Sequence, residues 1–543
     1  MKSSGRWVLI GCLSALYLAA IGGVAWGVSS VVRATKRVQI ARHEIVAPLP
    51  KGRMFTRVET NAFLDAARRA EDIADPLQRC LAYPDPPGSH WDHDAVVAYC
   101  RFRFQPIISL ADIKRMVQAG RARELDRMFD DALHAQMTDP DARGRLDRIF
   151  SVDFEKPAFD TRSILDAWKR QSPDSAYAYA ASGYEYEQMA FAARGHDYIS
   201  KTPQSSLDAM DRLAAQADVD LRRALALNPK ITPAYGAMIS LGAMSFGEHY
   251  ALGAVRRGLA QDPGNFALYG GWMWVEQPNW YGSLDAMGAV AADAQKHVDR
   301  NPLLRQLASS RDFYRIQWCK CAPDVQLSAY MAMLDKPAGE KMLNDAALAA
   351  KDAGKPQARA IYFSEALRFN PELRDSRLAR IYDLVEFDRI HWAVEEASRL
   401  IAASPDDELP VKARAWAYLV GNDLPHARQD FETAARLDPS DGWVQVQLAG
   451  LYMGEKQWGR AWDIANRMIA RTPQDMAGWS VRAQIQLLEP RPGLKETTDY
   501  LESHFYSDKK NLKFNAYIAH LRTVVRQRAK ANNGKAPRLI GAD

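Results

Sequence analysis

The chain has 543 residues, of which 47% are hydrophobic and 25% are charged, and its mean hydropathy is −0.34. These values are typical of folded protein, and they exclude wholesale disorder and a polytopic membrane protein. The 71 lysines and arginines exceed the 66 acidic residues by only 5, so the charge gives no indication of a nucleic-acid partner. A chain of this length predicts several domains or one long repeat array.

The first feature in chain order is an apolar segment at 7–32, which contains 26 residues and no charge. As a helix rising about 1.5 Å per residue, it would cross the ~30 Å hydrocarbon core of a bilayer. The run is too long for the apolar region of a cleaved signal peptide. We therefore predict an uncleaved, single-pass transmembrane anchor.

Two features favour opposite orientations of this anchor. More basic residues follow the apolar run than precede it, which favours a cytoplasmic C-terminal part. A short basic N-terminus before one apolar segment is instead typical of a signal-anchor that exports the chain behind it. We favour export, with the large C-terminal domain in the periplasm and the anchor in a bacterial inner membrane. A cytoplasmic domain is the alternative.

The cysteines support export. Four of them lie outside the apolar run, an even number that allows full pairing. Cys80 and Cys100 flank the segment 81–99, whose prolines and glycine disfavour a regular helix, and we predict a disulfide between them. The pair Cys319 and Cys321 could serve redox chemistry or a metal, but Cys-x-Cys spacing alone is weak evidence. A bridge would close a strained ring, so we interpret these two as structural.

The region after the anchor reads as helical, without the sustained alternation that strands need. One helix is predicted over 58–75, with Asn61 as its N-cap. A helical hairpin broken near Gly120 is predicted over 109–135. Four apolar residues are expected on one face of its second helix: Leu125, Met128, Phe129 and Leu133.

A fixed period then appears in the prolines that close predicted helices. One constant interval separates Pro371, Pro405, Pro439 and Pro473, and the same interval separates Pro229 from Pro263. It equals the period of about 34 residues that defines tetratricopeptide repeats, in which each unit is a helix-turn-helix. Proline cannot continue a helix, so it sets the turn into the next unit. An all-α fold follows, in which the transmembrane helix precedes an α-solenoid of tetratricopeptide-like repeats.

The period is irregular earlier in the chain. The interval from Pro173 to Pro229 is longer than one period but shorter than two, and we attribute part of the surplus to a loop at 194–204. Between Pro263 and Pro371 the register is lost. The predicted organisation is a basic N-terminus (1–6), the anchor (7–32), a linker (33–57), a helical region with the disulfide loop (58–160), an irregular helical domain (161–340), regular repeats (341–490), a helical cap (491–521) and a flexible basic tail (522–543).

The stretch 168–300 resembles a bacterial family of uncharacterised, tetratricopeptide-related helical proteins. The resemblance is carried by WKRQSPDSAYAYAASGYEY, by ALALNP and by a Trp-x-Gly-Ser-x-x-x-Met segment at Trp280–Met287. It implies a helical solenoid and supplies no catalytic residue. Within the segment, Ser283 is expected to cap a helix and Asp285 to lie in its first turn. Gly282 is expected to adopt a backbone conformation that a side chain would forbid.

Few motifs indicate chemistry. The loop His90–Asp94 combines two imidazoles with two carboxylates and could supply metal ligands, although its spacing matches no specific signature. The sequence contains no phosphate-binding glycine loop, no His-Glu-x-x-His and no Gly-x-Ser-x-Gly. We therefore predict no catalytic residue, no metal and no cofactor. An enzyme or metal-dependent factor centred on His90–His93 or on the tryptophan-rich middle is the alternative function.

The favoured function is a membrane-anchored scaffold for protein–protein interaction. Repeat proteins of this class bind partners on a concave face lined by the first helix of every unit. Counting each unit from a fixed distance before its closing proline gives six partner-binding candidates: Tyr382, Lys412, Trp416, Trp443, Val446 and Met453. Lys412 alone could serve a carboxylate clamp, so a carboxylate-terminated tail is not the expected ligand. Trp458 and Trp462, one turn apart on a second helix, are expected in the core.

Overall fold

The computed structural model describes residues 49–154, 159–195, 199–506 and 512–533. Every regular element within those ranges is helical, as the sequence predicts. The chain divides into two compact units at Glu372 and Leu373, which we call unit 1 and unit 2. The predicted anchor at 7–32 lies outside the described residues. None of the helices in the described part of the chain is long and apolar enough to cross a membrane.

Unit 1 contains seventeen described helices, joined by short turns. In chain order these are α1 (Arg57–Glu71), α2 (Pro76–Ala82), α3 (His93–Phe104), α4 (Leu110–Gln118), α5 (Ala122–Thr138), α6 (Arg145–Asp153), α7 (Phe159–Gln171), α8 (Ala176–Arg194), α9 (Gln204–Leu227), α10 (Thr232–Leu241), α11 (Glu248–Gln261), α12 (Phe266–Val275), α13 (Leu284–Gln295), α14 (Ser310–Trp318), α15 (Pro323–Met333), α16 (Glu340–Asp352) and α17 (Pro356–Phe369). A π-helical turn follows α10 over Gly242–Phe246, and a 3₁₀ helix over Pro302–Ser309 precedes α14.

The start of unit 1 packs on its end. The predicted disulfide between Cys80 and Cys100 is present and joins α2 to α3, with the Cα atoms 5.7 Å apart. Arg368 of α17 donates from Nε to the carbonyl of Cys80 at 2.9 Å. The indole of Trp91 donates to the carbonyl of Leu334 at 2.9 Å. The disulfide region is therefore a docked part of the unit, with one helix on each side of its proline-rich loop.

The structure corrects two predictions in the N-terminal region. The first helix begins at Arg57, because the Thr56 side chain accepts from the Glu59 amide and the Glu59 carboxylate accepts from the Thr56 amide. Asn61 therefore lies inside the helix and is not its cap. In the predicted hairpin, Leu125, Phe129 and Leu133 are buried, but Met128 is 42% exposed. Met128 follows Leu125 by three residues and falls at the edge of the apolar stripe.

The surplus residues between Pro173 and Pro229 lie mainly in helices. The helices α8 and α9 have 19 and 24 residues, and they pack against each other as the longest helix pair of unit 1. The predicted loop at 194–204 accounts for only part of the surplus. Ser283 caps α13 as predicted, accepting from the Ala286 amide. At Gly282 a Cβ would lie 2.2 Å from the Glu276 carbonyl oxygen, so close packing, and not an unusual dihedral angle, requires glycine there.

Unit 2 is a stack of helix pairs. Its helices are α18 (Arg374–Glu386), α19 (Ile390–Ala403), α20 (Glu408–Val420), α21 (Leu424–Leu437), α22 (Gly442–Gly454), α23 (Trp458–Arg471), α24 (Met476–Leu488), α25 (Leu494–Phe505) and α26 (Leu512–Asn533). Counting from α16, first helices begin at one constant interval, at positions 340, 374, 408, 442 and 476, and second helices begin at the same interval, at positions 356, 390, 424 and 458. The predicted helix-turn-helix repeat, with its period of about 34 residues, is confirmed.

The turn between the two helices of a repeat has the same backbone conformation in four repeats. Gly354, Asp388, Asn422 and Lys456, which are separated by the same repeat interval, have positive φ angles between 58° and 63°. In each turn the next residue donates its amide to a carbonyl five residues back, as Gln457 does to Tyr452. This is the Schellman arrangement that ends a helix on a left-handed residue. The prolines therefore mark the turn between successive units, and the left-handed residue marks the turn between the two helices of one unit.

The end of unit 2 corrects the predicted tail. Helix α26 continues through Arg522, where flexible chain was expected, to Asn533. Phe514, Ile518 and Leu521 are buried against α24 and α25, and Val524 and Val525 pack against the same cluster. The apolar spacing therefore continues past the basic residues that suggested a tail. The segment 534–543 lies outside the described ranges.

Candidate functional site

The candidate site is the face of unit 2 formed by its first helices. Successive first helices pack directly on each other in the pairs α18–α20 and α22–α24. Helices approach most closely on the inner side of a curved stack, so the first helices line the inner face. The second, fifth, ninth and twelfth positions of the first helices hold all six residues that the sequence singled out, and each of the six is exposed or partly exposed.

Two of these residues form an aromatic pair. The rings of Trp416 and Trp443 are 5.6 Å apart, and Phe431 lies 5.7 Å from Trp443 on the other side. Phe431 is buried, whereas 40% of Trp443 is exposed. Trp443 thus has one edge in the core and one in solvent, a position in which a large aromatic side chain can act as an anchor for a partner.

Lys412 lies in an ion-pair network. Its ammonium is 2.6 Å from the Asp441 carboxylate and 3.5 Å from that of Glu408. Burial acts to lower the pKa of Lys412, but the hydrogen bond to Asp441 and the charge of Glu408 outweigh it and raise that pKa. Burial raises the pKa of the neighbouring Tyr382, and the Lys412 charge opposes the shift. Lys412 and Tyr382 therefore belong to one internally balanced polar cluster, and Lys412 is not a free cation for a ligand.

Val446 and Met453 complete the predicted set. Both are partly buried and pack against the core of the middle repeats. Between them, at the ninth position of α22, lies Gly450, where the preceding repeats have Tyr382 and Trp416. Gly450 is exposed, and a Cβ built on it meets no atom within 4 Å. The inner face therefore has an open position beside Met453.

The sequence reasoning missed this open position and three exposed apolar side chains. Leu409, Val420 and Leu488 are 40%, 44% and 62% exposed, and all three lie on first helices. Extending the positional count to the second and thirteenth residues of every repeat would have found them. Trp458 and Trp462 are partly buried on α23, and the guanidinium groups of Arg482 and Arg491 lie 5.0 Å from the Trp462 ring centroid.

The alternative site in the histidine loop has a structural explanation. Asp92 accepts from the Ala95 amide and caps α3, and it also forms an ion pair with Arg305. His90 contacts the Asp335 carboxylate at 2.8 Å, while His93 is the first residue of α3. Within the residues that the structure describes, no group of three or more His, Cys, Asp and Glu side chains is placed to hold a metal ion.

The tryptophan-rich middle packs on the core of unit 1. Trp272, Trp274 and Trp280 are partly buried against the main cluster of the unit. The rings of Trp274 and Trp280 are 4.6 Å apart, and the Trp272 indole donates to Glu276 at 3.1 Å. These contacts account for the three rings as packing residues. Trp318 differs, because 45% of its surface is exposed.

Residues 109–255, within unit 1, match the family described as a domain of unknown function, DUF4034. The match ends before the Trp280–Met287 segment. No curated protein matches the chain.

Two solved structures are similar to parts of the chain. One, titled as a functional characterization of Pseudomonas aeruginosa PilF, is 16% identical and aligns over 50% of this chain and 94% of its own, with a TM-score of 0.24. The other is the P58(IPK) TPR domain, at 12% identity over 68% of this chain and 94% of its own, with a TM-score of 0.20. At these TM-scores neither similarity bears on function, and the repeat assignment depends on the helix spacing.

Proposed function

We propose that the protein is a non-enzymatic helical-repeat scaffold, anchored in a bacterial inner membrane by residues 7–32 with its C-terminal part in the periplasm, that binds a segment of a partner protein. The binding face is the inner face of unit 2. The observation that carries the proposal is Trp443, which is 40% exposed and pairs with Trp416. Tryptophan is enriched among the residues that contribute most of the binding energy at protein interfaces.

The shape of this face supports an apolar partner segment. Trp416 and Trp443 form an aromatic pair, and Gly450 leaves a depression about two turns further along α22, the helix that carries Trp443. A leucine or phenylalanine side chain of the partner would fill that depression, and a second apolar side chain would contact the indole rings. The Lys412 cluster is already neutralised by Asp441 and Glu408, so it would set the polar boundary of the face.

Filling the depression tests the proposal without disturbing the core. Because a Cβ at Gly450 meets no atom, Gly450→Trp should fold, retain its thermal midpoint within a few degrees and block the partner sterically. The matched control is Gly459→Trp, since Gly459 is also exposed and open but lies on second helix α23. Partners are recovered from detergent-solubilised membranes with the full-length chain and quantified by mass spectrometry.

We expect at least one membrane or envelope protein to be recovered with the parent chain and Gly459→Trp, and lost with Gly450→Trp. Trp416→Ala should lose the same protein, because a large aromatic anchor typically contributes about 2 kcal/mol or more to binding. Equal recovery with all variants would exclude this face. The anchor is tested separately: the full chain should resist alkaline extraction from membranes, and a chain beginning at residue 49 should not.

A further inference from the structure

The structure joins Cys319 and Cys321 by a second disulfide, and its setting differs from that of Cys80 and Cys100. Cys80 and Cys100 are completely buried. Cys319 and Cys321 are both partly exposed in the turn between α14 and α15. An attacking thiolate must reach a sulfur atom along the S–S axis, so only the second disulfide is open to exchange.

The backbone between the two cysteines is in an unfavourable conformation. Closing a ring across one intervening residue leaves Lys320 with a φ of 50°, a left-handed conformation that a lysine rarely adopts. Reduction opens the ring and frees Lys320 from this conformation. This disulfide should therefore be easier to reduce than a disulfide whose backbone has no unfavourable conformation.

The surroundings stabilise a thiolate at Cys319. The amide of Cys321 donates to Cys319 Sγ at 3.2 Å, so a donor already faces this sulfur before the bond breaks. The Lys320 side chain is exposed between the two sulfurs, and α15 begins two residues after Cys321 with its positive end towards them. The nearest carboxylate along the chain, Asp324, is 3.6 Å from the Lys355 ammonium. A cationic setting of this kind lowers the pKa of a thiol.

The disulfide also lies between two exposed apolar side chains. Trp318 precedes it and is 45% exposed, and Val325 follows it and is 50% exposed. Together they provide exposed apolar surface close to the two cysteines in the chain, which an unfolded or extended polypeptide can contact. A small thiol such as glutathione would not need that surface. The chemistry and the flanking surface both fit a protein dithiol.

We propose that Cys319–Cys321 is a thiol–disulfide exchange site that transfers its disulfide to a dithiol in another polypeptide. A thiolate of the substrate attacks Sγ of Cys321, the bond between the two cysteines breaks, and Cys319 leaves as a thiolate facing the Cys321 amide. The second substrate thiol gives up its proton and attacks the substrate sulfur of the mixed disulfide, which releases Cys321. Two electrons and two protons pass from the substrate to the two cysteines, and this step is independent of the inner face of unit 2.

The direct test is a single turnover with the full-length protein. The oxidised chain is mixed anaerobically with one equivalent of a reduced peptide that contains two cysteines, and thiols are alkylated and located by mass spectrometry. We expect peptide oxidation matched by new alkylation at Cys319 and Cys321, while the alkylation of Cys12 and the protection of Cys80 and Cys100 stay unchanged. In glutathione buffers this pair should be reduced at a reduced-to-oxidised ratio about tenfold or more below that needed for Cys80 and Cys100.

Variants separate exchange from a passive structural bond. Cys319→Ser leaves Cys321 able to attack an oxidised peptide but without a resolving thiol, so a mixed disulfide at Cys321 should accumulate. Lys320→Gly removes both the backbone penalty and the charge, so its disulfide should resist reduction more than that of the parent. Free thiols at both Cys319 and Cys321 in the oxidised preparation, or a disulfide that leaves the peptide reduced, would overturn the proposal.

Discussion

Glu187 is a buried residue of unit 1 whose ionisation makes the stability of the unit depend on pH. Its carboxylate accepts from Ser240 Oγ and from Gln188 Nε2, the latter at 2.7 Å. Burial raises the pKa of Glu187 to about 7, and these two hydrogen bonds only partly oppose the shift. The folded state therefore keeps a proton that the unfolded chain releases near its ordinary pKa of 4.5.

The sign of the resulting pH dependence is fixed. Between pH 4.5 and 7 the unfolded state binds fewer protons than the folded state, so the free energy of unfolding falls as the pH rises. Glu187→Gln is neutral in both states and should remove the contribution of Glu187 to this fall, stabilising unit 1 at pH 8 by roughly 3 kcal/mol relative to the parent. Urea unfolding at pH 5 and pH 8 measures the difference between the two slopes.

The control for this prediction is Glu372→Gln at an exposed position of the same unit. It should leave the slope of the parent unchanged. Parallel pH profiles for the parent and Glu187→Gln would show that Glu187 does not carry this proton.

At the residue scale, the sequence located Trp416 and Trp443 because the repeat count alone fixes which positions leave the core. It did not locate Gly450, since a missing side chain gives no signal unless the same position is compared across repeats. Nor did it show that Lys412 is paired, because Asp441 belongs to the next repeat and lies 29 residues away. Charges that meet across repeats become visible only when the helices are stacked.

At the scale of the element, the regular repeats were predictable because proline and helix caps recur with them. Asp407, Asp441 and Asp475 each cap the first helix of a unit by accepting a backbone amide. The segment between Pro263 and Pro371 lacks prolines and capping aspartates that recur at this interval. As far as Met333 the chain there forms a 3₁₀ helix and short α-helices of 9 to 12 residues, whose ends follow no common interval, and the regular interval begins only with α16.

The turn inside the repeat leads to an element-scale prediction. Lys456 has a φ of 59°, where the equivalent residue of an earlier repeat is Gly354. Glycine adopts this conformation without steric cost, whereas a side chain costs about 1 kcal/mol. Lys456→Gly should therefore raise the free energy of unfolding of unit 2 by up to about 1 kcal/mol, measured by urea unfolding.

A second lysine-to-glycine change provides the contrast. Lys495 is exposed in the first turn of α25 and forms an ion pair with Asp499 at 2.7 Å, so glycine there removes the pair and lowers the helix propensity. Lys495→Gly should destabilise unit 2. If both changes destabilise unit 2 by similar amounts, the left-handed conformation of Lys456 does not lower the stability of the parent.

At the scale of the whole molecule, the sequence predicted the disulfide but not what it holds. Helices α2 and α3, joined by Cys80 and Cys100, contact α17 through Arg368, which lies 288 residues after Cys80 and whose guanidinium also binds Asp85. Arg103 of α3 bonds the carbonyl of Phe369 and the carboxylate of Glu340. No local sequence pattern predicts contacts between residues so far apart in the chain. Arg103 and Arg368 each resemble an ordinary surface arginine when only their sequence neighbours are considered.

These contacts predict how the loss of the disulfide spreads through unit 1. Replacing both Cys80 and Cys100 by serine frees a loop of about 20 residues and should cost on the order of 3 kcal/mol, mainly by loosening the unfolded chain. Because α2 and α3 hold Arg368 and supply Arg103, the lost protection should extend to α17. Hydrogen exchange followed by mass spectrometry resolves this: amides of α2, α3 and α17 should exchange faster together, while those of α21 to α23 in unit 2 keep their rates. Faster exchange confined to residues 76–104 would mean that the contacts of α2 and α3 with α17 do not stabilise α17.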